Sequence, residues 1–189
     1  MNHFYKRVHG WMTFEQLYTE MVNKFDDATF VEVGTWKGQS AAYMGVEIIN
    51  SKKNIKFYCV DPWTGETNDS NPRAYDCMEK VNNTLYECFL ENVDPVKTVI
   101  HPMRMKSVES SENFEDNSID FVFIDASHNY EDVLIDIKTW YPKVKNNGVI
   151  AGHDYHHQEV RRAVDEFCSD MNINLENLKS QYSWKINKN

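Results

Sequence analysis

Several things are scarce in this 189-residue sequence, and each absence excludes something. No run approaches the ~18 consecutive apolar residues that a membrane-crossing helix needs. The start, Met1-Asn2-His3-Phe4-Tyr5-Lys6-Arg7, has a basic pair with no apolar core behind it. A secretory leader is therefore not expected, and the chain reads as soluble and cytoplasmic, without a membrane partner. The four cysteines (Cys59, Cys77, Cys88, Cys168) contain no C-x-x-C pair and lack the density of a disulfide scaffold, so reduced, buried thiols are expected. Basic residues are outnumbered, 20 against 29 acids, for a net charge of −9. They are also scattered, with Arg161-Arg162 the densest group. A phosphate backbone would be repelled, so nucleic acid is not an expected partner. Repeats, Pro/Ser-rich linkers and low-complexity tracts are missing, and the length suits a single domain over residues 1–189.

What is present is an alternation of two hydrophobic periods. Thr13-Phe14-Glu15-Gln16 has capping-box spacing and opens an amphipathic helix to about Phe25, the core of an N-terminal helical cap over residues 1–27. Ala28 to Gly34 reads as a short buried strand, and Gln39 to Asn50 as a helix. Ile55–Asp61 is a second strand; a polar loop from Thr64 to Asn71 then leads to a helix from Ala74 to Glu91. A third strand centres on Thr98-Val99-Ile100, and the most apolar one is Ile119–Asp125. A helix near Glu131–Val144, an Asn147-Gly148 turn, a strand over 149–152, a helix from Gln158 to Met171 and an edge strand over Ser183–Ile186 complete the pattern. Strands alternating with helices of this length call for an α/β fold, a mostly parallel sheet covered on both faces. In such sheets ligands sit at the carboxyl ends of the strands. Gly34, Asp61, Asp125 and His153-Asp154 all follow strands directly, so they should converge on one cleft.

Two of these positions narrow the ligand. Gly34 and Gly38 bracket the loop Thr35-Trp36-Lys37, letting the backbone turn sharply and approach a ligand. The spacing is G-x-x-x-G, with Trp36 where the dinucleotide fingerprint places the glycine that admits a pyrophosphate. Asp61 ends its strand 27 residues after Gly34, where an acid can accept from both hydroxyls of a ribose. A glycine loop, a ribose acid and no phosphate demand together suggest a nucleoside cofactor such as S-adenosyl-L-methionine.

These stretches resemble the class I S-adenosylmethionine-dependent methyltransferases, in particular the small-molecule branch called methyltransferase family 24, related to sugar and macrolide O-methyltransferases. The resemblance rests on Val31–Ser40, Cys59–Trp63, Ile119–Glu131 and Gly148–Tyr155, and spans residues 10–165. It implies a Rossmann-like sheet of about seven strands. It further implies that Glu32, Gly34, Thr35, Trp36, Gly38 and Ser40 cradle the methionine part of the cofactor, and that Asp61, with Pro62 and Trp63 beside it, holds the ribose. Ser107 would flank adenine, and Asp125 would face the sulfonium and the acceptor.

Methyl transfer to a hydroxyl needs alignment and removal of a proton. The expected catalytic residues are Asp125, His128, His153 and Asp154, with the two imidazoles as candidate bases. Related metal-dependent O-methyltransferases place an acid after the fourth strand and an acidic pair after the fifth. Asp125, His153 and Asp154 hold those positions, so a divalent metal, Mg²⁺ or Mn²⁺, is a second expectation; the histidine disfavours Mg²⁺. His156-His157 lies nearby and could extend such a site, but reads first as a surface pair at a helix start. Two readings compete with the methyltransferase, which would act on the hydroxyl or amine of a small polar acceptor. One is a NAD-type oxidoreductase, opposed by Trp36; the other is a non-catalytic nucleoside-binding protein that keeps the fold. Acceptor recognition falls to the N-terminal stretch through Trp11 and Phe14 and to a 63–96 insertion whose polar start would serve as a lid. An exposed apolar face over residues 14–25 would suffice for a homodimer.

Overall fold

A computed structural model of the chain describes residues 1–64 and 84–189. Seven strands form one sheet: β1 (Asp27–Val33), β2 (Asn54–Val60), β3 (Ile100–Met103), β4 (Ile119–Ile124), β5 (Val144–Gly152), β6 (Glu176–Leu178) and β7 (Ser183–Asn187). Their order is β3-β2-β1-β4-β5-β7-β6. Strands β1 to β5 are mutually parallel, and β7 is antiparallel to both of its neighbours. The described helices are α1 (Glu15–Lys24), α2 (Gln39–Ser51), α3 (Leu85–Val93), α4 (Ser107–Ser111), α5 (Tyr130–Trp140) and α6 (Gln158–Met171). None of the helices in the described residues is long and apolar enough to cross a membrane.

The period-two rule divides the core. On β1, Phe30 points to one face and Val31 to the other; on β4, Phe121 and Phe123 oppose Val122 and Ile124. The first face packs on α1, α2 and α3 through Leu17, Tyr18, Met21, Met44, Ile48 and Phe89. The second packs on α5 and α6 through Val133, Ile137, Trp140, Val164 and Phe167. All six residues of β4 are buried, as its nearly unbroken apolar run requires. Its one acid, Asp120, accepts from the Thr29 amide at 2.9 Å and from Lys145 Nζ at 2.9 and 3.0 Å, so its charge is paired where β1 and β4 begin.

Several expected boundaries move, each for a local reason. Thr13 does not cap α1: Phe14 holds the N-cap position without a side-chain bond, and the Thr13 hydroxyl is used elsewhere. The α5 helix stops at Trp140 because Pro142 follows, in a 3-10 turn over Tyr141–Lys143. Strand β5 starts at Val144 and runs through Asn147-Gly148, absorbing them as an irregularity against β4. Strand β3 sits two residues later than expected. Residues 183–187 are not an edge, because the three-residue β6 pairs outside them. The Ala74 start of the expected helix and the Thr64–Asn71 lid fall largely outside the described residues; within them, Thr84 caps α3 by accepting from the Glu87 amide. Cys59 and Cys168 are free and buried, but Cys88 is disulfide-bonded, which corrects the expectation of thiols throughout. The apolar face of α1 is covered within the chain, with Phe14, Leu17, Tyr18, Met21 and Val22 at most 2% exposed, so it offers no surface to a second copy.

The C-terminus of α1 shows how one charge substitutes for missing helix bonds. Lys53 donates from Nζ to the carbonyls of Val22, Asn23 and Phe25 at 2.8, 2.9 and 3.0 Å. Three carbonyls at the helix end thus meet a cation where the macrodipole is negative. Lys53→Ala is expected to lower unfolding stability by about 1.5–3 kcal/mol, the range for hydrogen bonds to a charged donor. Urea unfolding checks this; an unchanged midpoint would show that water replaces the ammonium without loss.

Candidate functional site

The carboxyl ends of β1, β2, β4 and β5 open into a cavity of about 900 Å³, where the strand order reverses between β1 and β4. Its floor is the turn after β1. Gly34 has φ +89°, and a Cβ there would lie 2.2 Å from the Asp125 carbonyl oxygen, so only glycine allows the two strand ends this close. The Asp125 amide closes the contact by donating to the Val33 carbonyl at 2.8 Å. Gly38 also needs its positive φ, +83°, but its missing side chain faces Phe89 and Val93 of α3 rather than the cavity.

Asp61 ties two loops together. Its Oδ2 accepts from the Trp36 amide at 2.9 Å and its Oδ1 from the Trp63 amide at 2.7 Å, while Trp63 Nε1 donates to the Trp36 carbonyl at 2.7 Å. Burial pushes the Asp61 carboxyl up, and the amides of Trp63, Trp36 and Thr35 pull it back. Each oxygen keeps a lone pair for a ligand hydroxyl. Trp36, held in the left-handed region at φ +42°, turns its ring onto Trp11, stacked at 4.9 Å and 17°. The indole pair forms one wall of the cavity.

Of the other residues expected in the cofactor cradle, Thr35, Ser40, Pro62 and Ser107 line the cavity. Glu32 and Trp63 do not; both are buried behind it. Glu32 accepts a short hydrogen bond from the Ser40 hydroxyl, which stands between it and the cavity. Burial pushes Glu32 up to about 8 against the pull of Ser40, with the Asp125 charge adding to the rise. The Ser107 hydroxyl donates to Asp136 and accepts from Trp140 Nε1 at 2.9 Å, so it faces the cavity with its hydrogen-bonding capacity engaged.

The opposite wall carries the titratable cluster. His153 is 7% exposed. Its Nδ1 lies 3.5 Å from Asp125 Oδ1 and 3.3 Å from Asp154 Oδ2, and its Nε2 is 2.9 Å from Thr13 Oγ1. The Thr13 proton is committed to the Gln181 carbonyl at 2.9 Å, so the hydroxyl accepts and His153 Nε2 carries a hydrogen. Burial disfavours the imidazolium, but the Asp125 and Asp154 carboxylates overrule it and raise His153 to about 9. Asp154 is also opposed by burial, yet His128 and His153 hold its carboxyl far below the usual range. His128 Nε2 lies 2.7 Å from Asp154 Oδ2, and that bond raises the His128 pKa. Asp125, His128, His153 and Asp154 therefore converge on the cavity, as their positions after β4 and β5 require. Sequence reasoning missed Thr13, which looked like a helix cap, and also Gln39 and Tyr182, all of which line the cavity; His156 and His157, read first as a surface pair, line it as well. No periodicity marks these residues, because separate segments of the chain bring them together.

The family model described as a methyltransferase domain, methyltransferase family 24, matches residues 31–155, about two thirds of the chain. Among curated proteins, the chain is 27% identical over 150 residues to an uncharacterized protein, R132, of Acanthamoeba polyphaga mimivirus, covering 77% of this chain and 62% of that protein. It is 23% identical over 169 residues to an uncharacterized protein, y4gI, of Sinorhizobium fredii, covering 89% of this chain but 18% of that one. The chain thus spans less than two thirds of the curated relatives it matches. Among solved structures, the O-methyltransferase NovP superposes with a TM-score of 0.65 at 15% identity, covering 93% of this chain and 79% of NovP. A methyltransferase from Geobacter sulfurreducens gives 0.61 at 10% identity, covering 92% and 77%. A precorrin 8W decarboxylase from Methanobacterium thermoautotrophicum gives 0.61 at 15%, covering 90% and 78%. These likenesses establish a Rossmann-like methyltransferase fold, and the last shows that proteins of this fold carry more than one reaction name.

Glu32 generates a test on the ligand-free protein. Its ordinary value is near 4.5 and its folded value about 8. The folded state therefore binds more protons between those values, and stability falls as pH rises through that window, with a slope approaching about 1.4 kcal/mol per pH unit. Glu32→Gln keeps the shape, removes the ionisation and is expected to abolish that slope, leaving the variant more stable than wild type at pH 8. Urea unfolding at pH 5, 6.5 and 8 measures the difference; parallel pH profiles would show that Glu32 ionises as freely folded as unfolded.

Proposed function

We propose, from the premise that the chain belongs to the methyltransferase-domain family, that it transfers a methyl group from S-adenosyl-L-methionine to a hydroxyl of a small polar acceptor. The carrying observation is the union of the Gly34 turn and Asp61 under an indole wall, a nucleoside seat in which Trp36 stands where a pyrophosphate would need bare backbone. A cofactor bearing a sulfonium suits a cavity bordered by the carboxylates of Asp61, Asp125 and Asp154. Asp61 would take the ribose hydroxyls on its two remaining lone pairs. The backbone beyond Gly34 would receive the methionine part, and Asp125 would face the sulfonium.

The metal that related enzymes hold at the positions of Asp125, His153 and Asp154 does not fit this arrangement well. The three donor atoms lie within 4.8 Å of one another, but His153 stands between the two carboxylates as their cation, hydrogen-bonded at its far nitrogen to Thr13. A protonated imidazole supplies the positive charge there, and Mg²⁺ prefers oxygen ligands. Proton removal instead falls to His128. Asp154 accepts from its Nε2, which fixes the tautomer and leaves Nδ1 for the acceptor's proton. The acceptor would enter between His128 and the Trp11–Trp36 wall. A sugar or natural-product hydroxyl, in a cytoplasmic setting, is the acceptor class that the apolar and indole lining favours.

Calorimetric titration with S-adenosylhomocysteine tests the cofactor: micromolar binding is expected, and Asp61→Ala should weaken it at least tenfold. No heat at millimolar ligand would end the reading. For the base, His128→Ala is expected to lower kcat by about 10²–10⁴ while cofactor binding holds. The wild-type rate should climb with pH through a value above the ordinary 6.5 of histidine, because only neutral His128 accepts a proton. A variant that keeps this limb would place the base elsewhere.

A further inference from the structure

We propose that Asp154, His156 and His157 form a binding site for a borderline divalent transition ion of the Zn²⁺ type at the mouth of the cavity. The site is distinct from the inner Asp125–His153–Asp154 contact and uses the other oxygen of the shared carboxylate. Asp154 Oδ2 is already engaged, 2.7 Å from His128 Nε2 and 3.3 Å from His153 Nδ1. Asp154 Oδ1 lies 3.8 Å from His156 Nδ1 and 3.9 Å from His157 Nε2. Those separations are too long for hydrogen bonds, so direct bonding does not account for the grouping. They are near what a shared ion requires: bonds of about 2.0–2.1 Å in a tetrahedron put donor atoms about 3.3 Å apart. All three donor atoms lie within 4.8 Å of one another, and the His156 and His157 side chains are 50% and 48% exposed, so small ring rotations close the gap.

The backbone builds this geometry. After β5 the chain turns tightly, with the His157 amide donating to the Asp154 carbonyl at 2.8 Å and the Tyr155 amide to the Tyr182 carbonyl at 2.9 Å. Asp154 takes the left-handed region at φ +56°, a conformation that non-glycine residues adopt only where their surroundings hold them there. The turn sends Tyr155 inward, where it is 8% exposed and bonds Asp165, and leaves residues 154, 156 and 157 together at the cavity. His128 completes the surroundings: it stacks on the His157 ring at 4.8 Å and 6° while bonding Asp154 Oδ2. Partners of that kind orient metal ligands from behind. Two imidazoles and one carboxylate suit Zn²⁺ and its neighbours better than Mg²⁺ or Ca²⁺. Three protein ligands leave a fourth position open, and the three residues border the cavity.

The test uses the full chain, freed of metal by chelator dialysis and measured without cofactor or acceptor, so its result does not depend on methyl transfer. Zn²⁺ is titrated by calorimetry and Co²⁺ by visible absorption at pH 7.5. One equivalent of each is expected, with intense tetrahedral Co²⁺ bands. The double substitution His156→Ala/His157→Ala should weaken both at least tenfold, whereas Asp125→Asn should change them less than threefold. Both histidines are half exposed, so the double variant keeps its fold, which circular dichroism checks. Absence of saturable Zn²⁺ binding would overturn the proposal. So would binding lost in Asp125→Asn but retained in the double variant, which would put the ion at the inner carboxylates.

Discussion

The approach of β1 to β4 at Gly34 and Asp125 is the constraint on which the site depends. The sheet runs outward from this pair in both directions, so the loops that leave its carboxyl edge diverge and a crevice opens between them. The pair can meet only because residue 34 has no side chain: a Cβ would strike the Asp125 carbonyl at 2.2 Å. Everything that faces the cavity is arranged relative to that contact. Asp61 reaches the β1 loop from one side, through the Trp36 amide; His153 reaches Asp125 from the other.

Charge is distributed around this point in a way that the net value of −9 does not convey. The carboxylates at the strand ends have different partners and therefore different states. Glu32 is buried beside the Ser40 hydroxyl, and burial drives it towards neutrality. Asp61 is held by amides, and Asp154 by two imidazoles that keep it ionised. Three environments at neighbouring strand ends thus separate an acid driven towards neutrality, a carboxylate held by backbone amides and a carboxylate that orients histidines. Asp154 is pivotal because its two oxygens serve different neighbours, His128 and His153 at Oδ2, His156 and His157 at Oδ1.

The regular part of the fold was legible because it follows from local periods. The unbroken apolar run of β4 announced a strand covered on both faces, and the stripe Leu17, Tyr18, Met21, Val22 announced the buried side of α1. Positions directly after strands, such as Gly34, Asp61, Asp125 and His153-Asp154, were legible as a group because parallel topology collects strand ends on one edge. Less regular features were not. The three-residue β6 is too short to show a period, and it displaces β7 from the edge. Thr13 had the spacing of a cap, but its hydroxyl bonds His153 and Gln181, 140 and 168 residues away. The stripe on α1 was readable as apolar, yet whether a second copy or the chain itself covers it depends on packing, and the sheet covers it.

By itself, the sequence determined the fold class, the alternation of the longer strands and helices, and which residues stand at strand ends, since these depend on side-chain period and on glycine's freedom at Gly34 and Gly38. The tertiary structure alone decided which of those residues touch and in what state. It set Glu32 behind Ser40 rather than in the cavity, turned Trp36 onto Trp11, placed Thr13 against His153, and gathered His128, His156 and His157 around Asp154. The reason is physical: protonation and hydrogen-bond partners are set by distances of a few ångströms between loops far apart in the chain, and a local pattern carries no information about those distances.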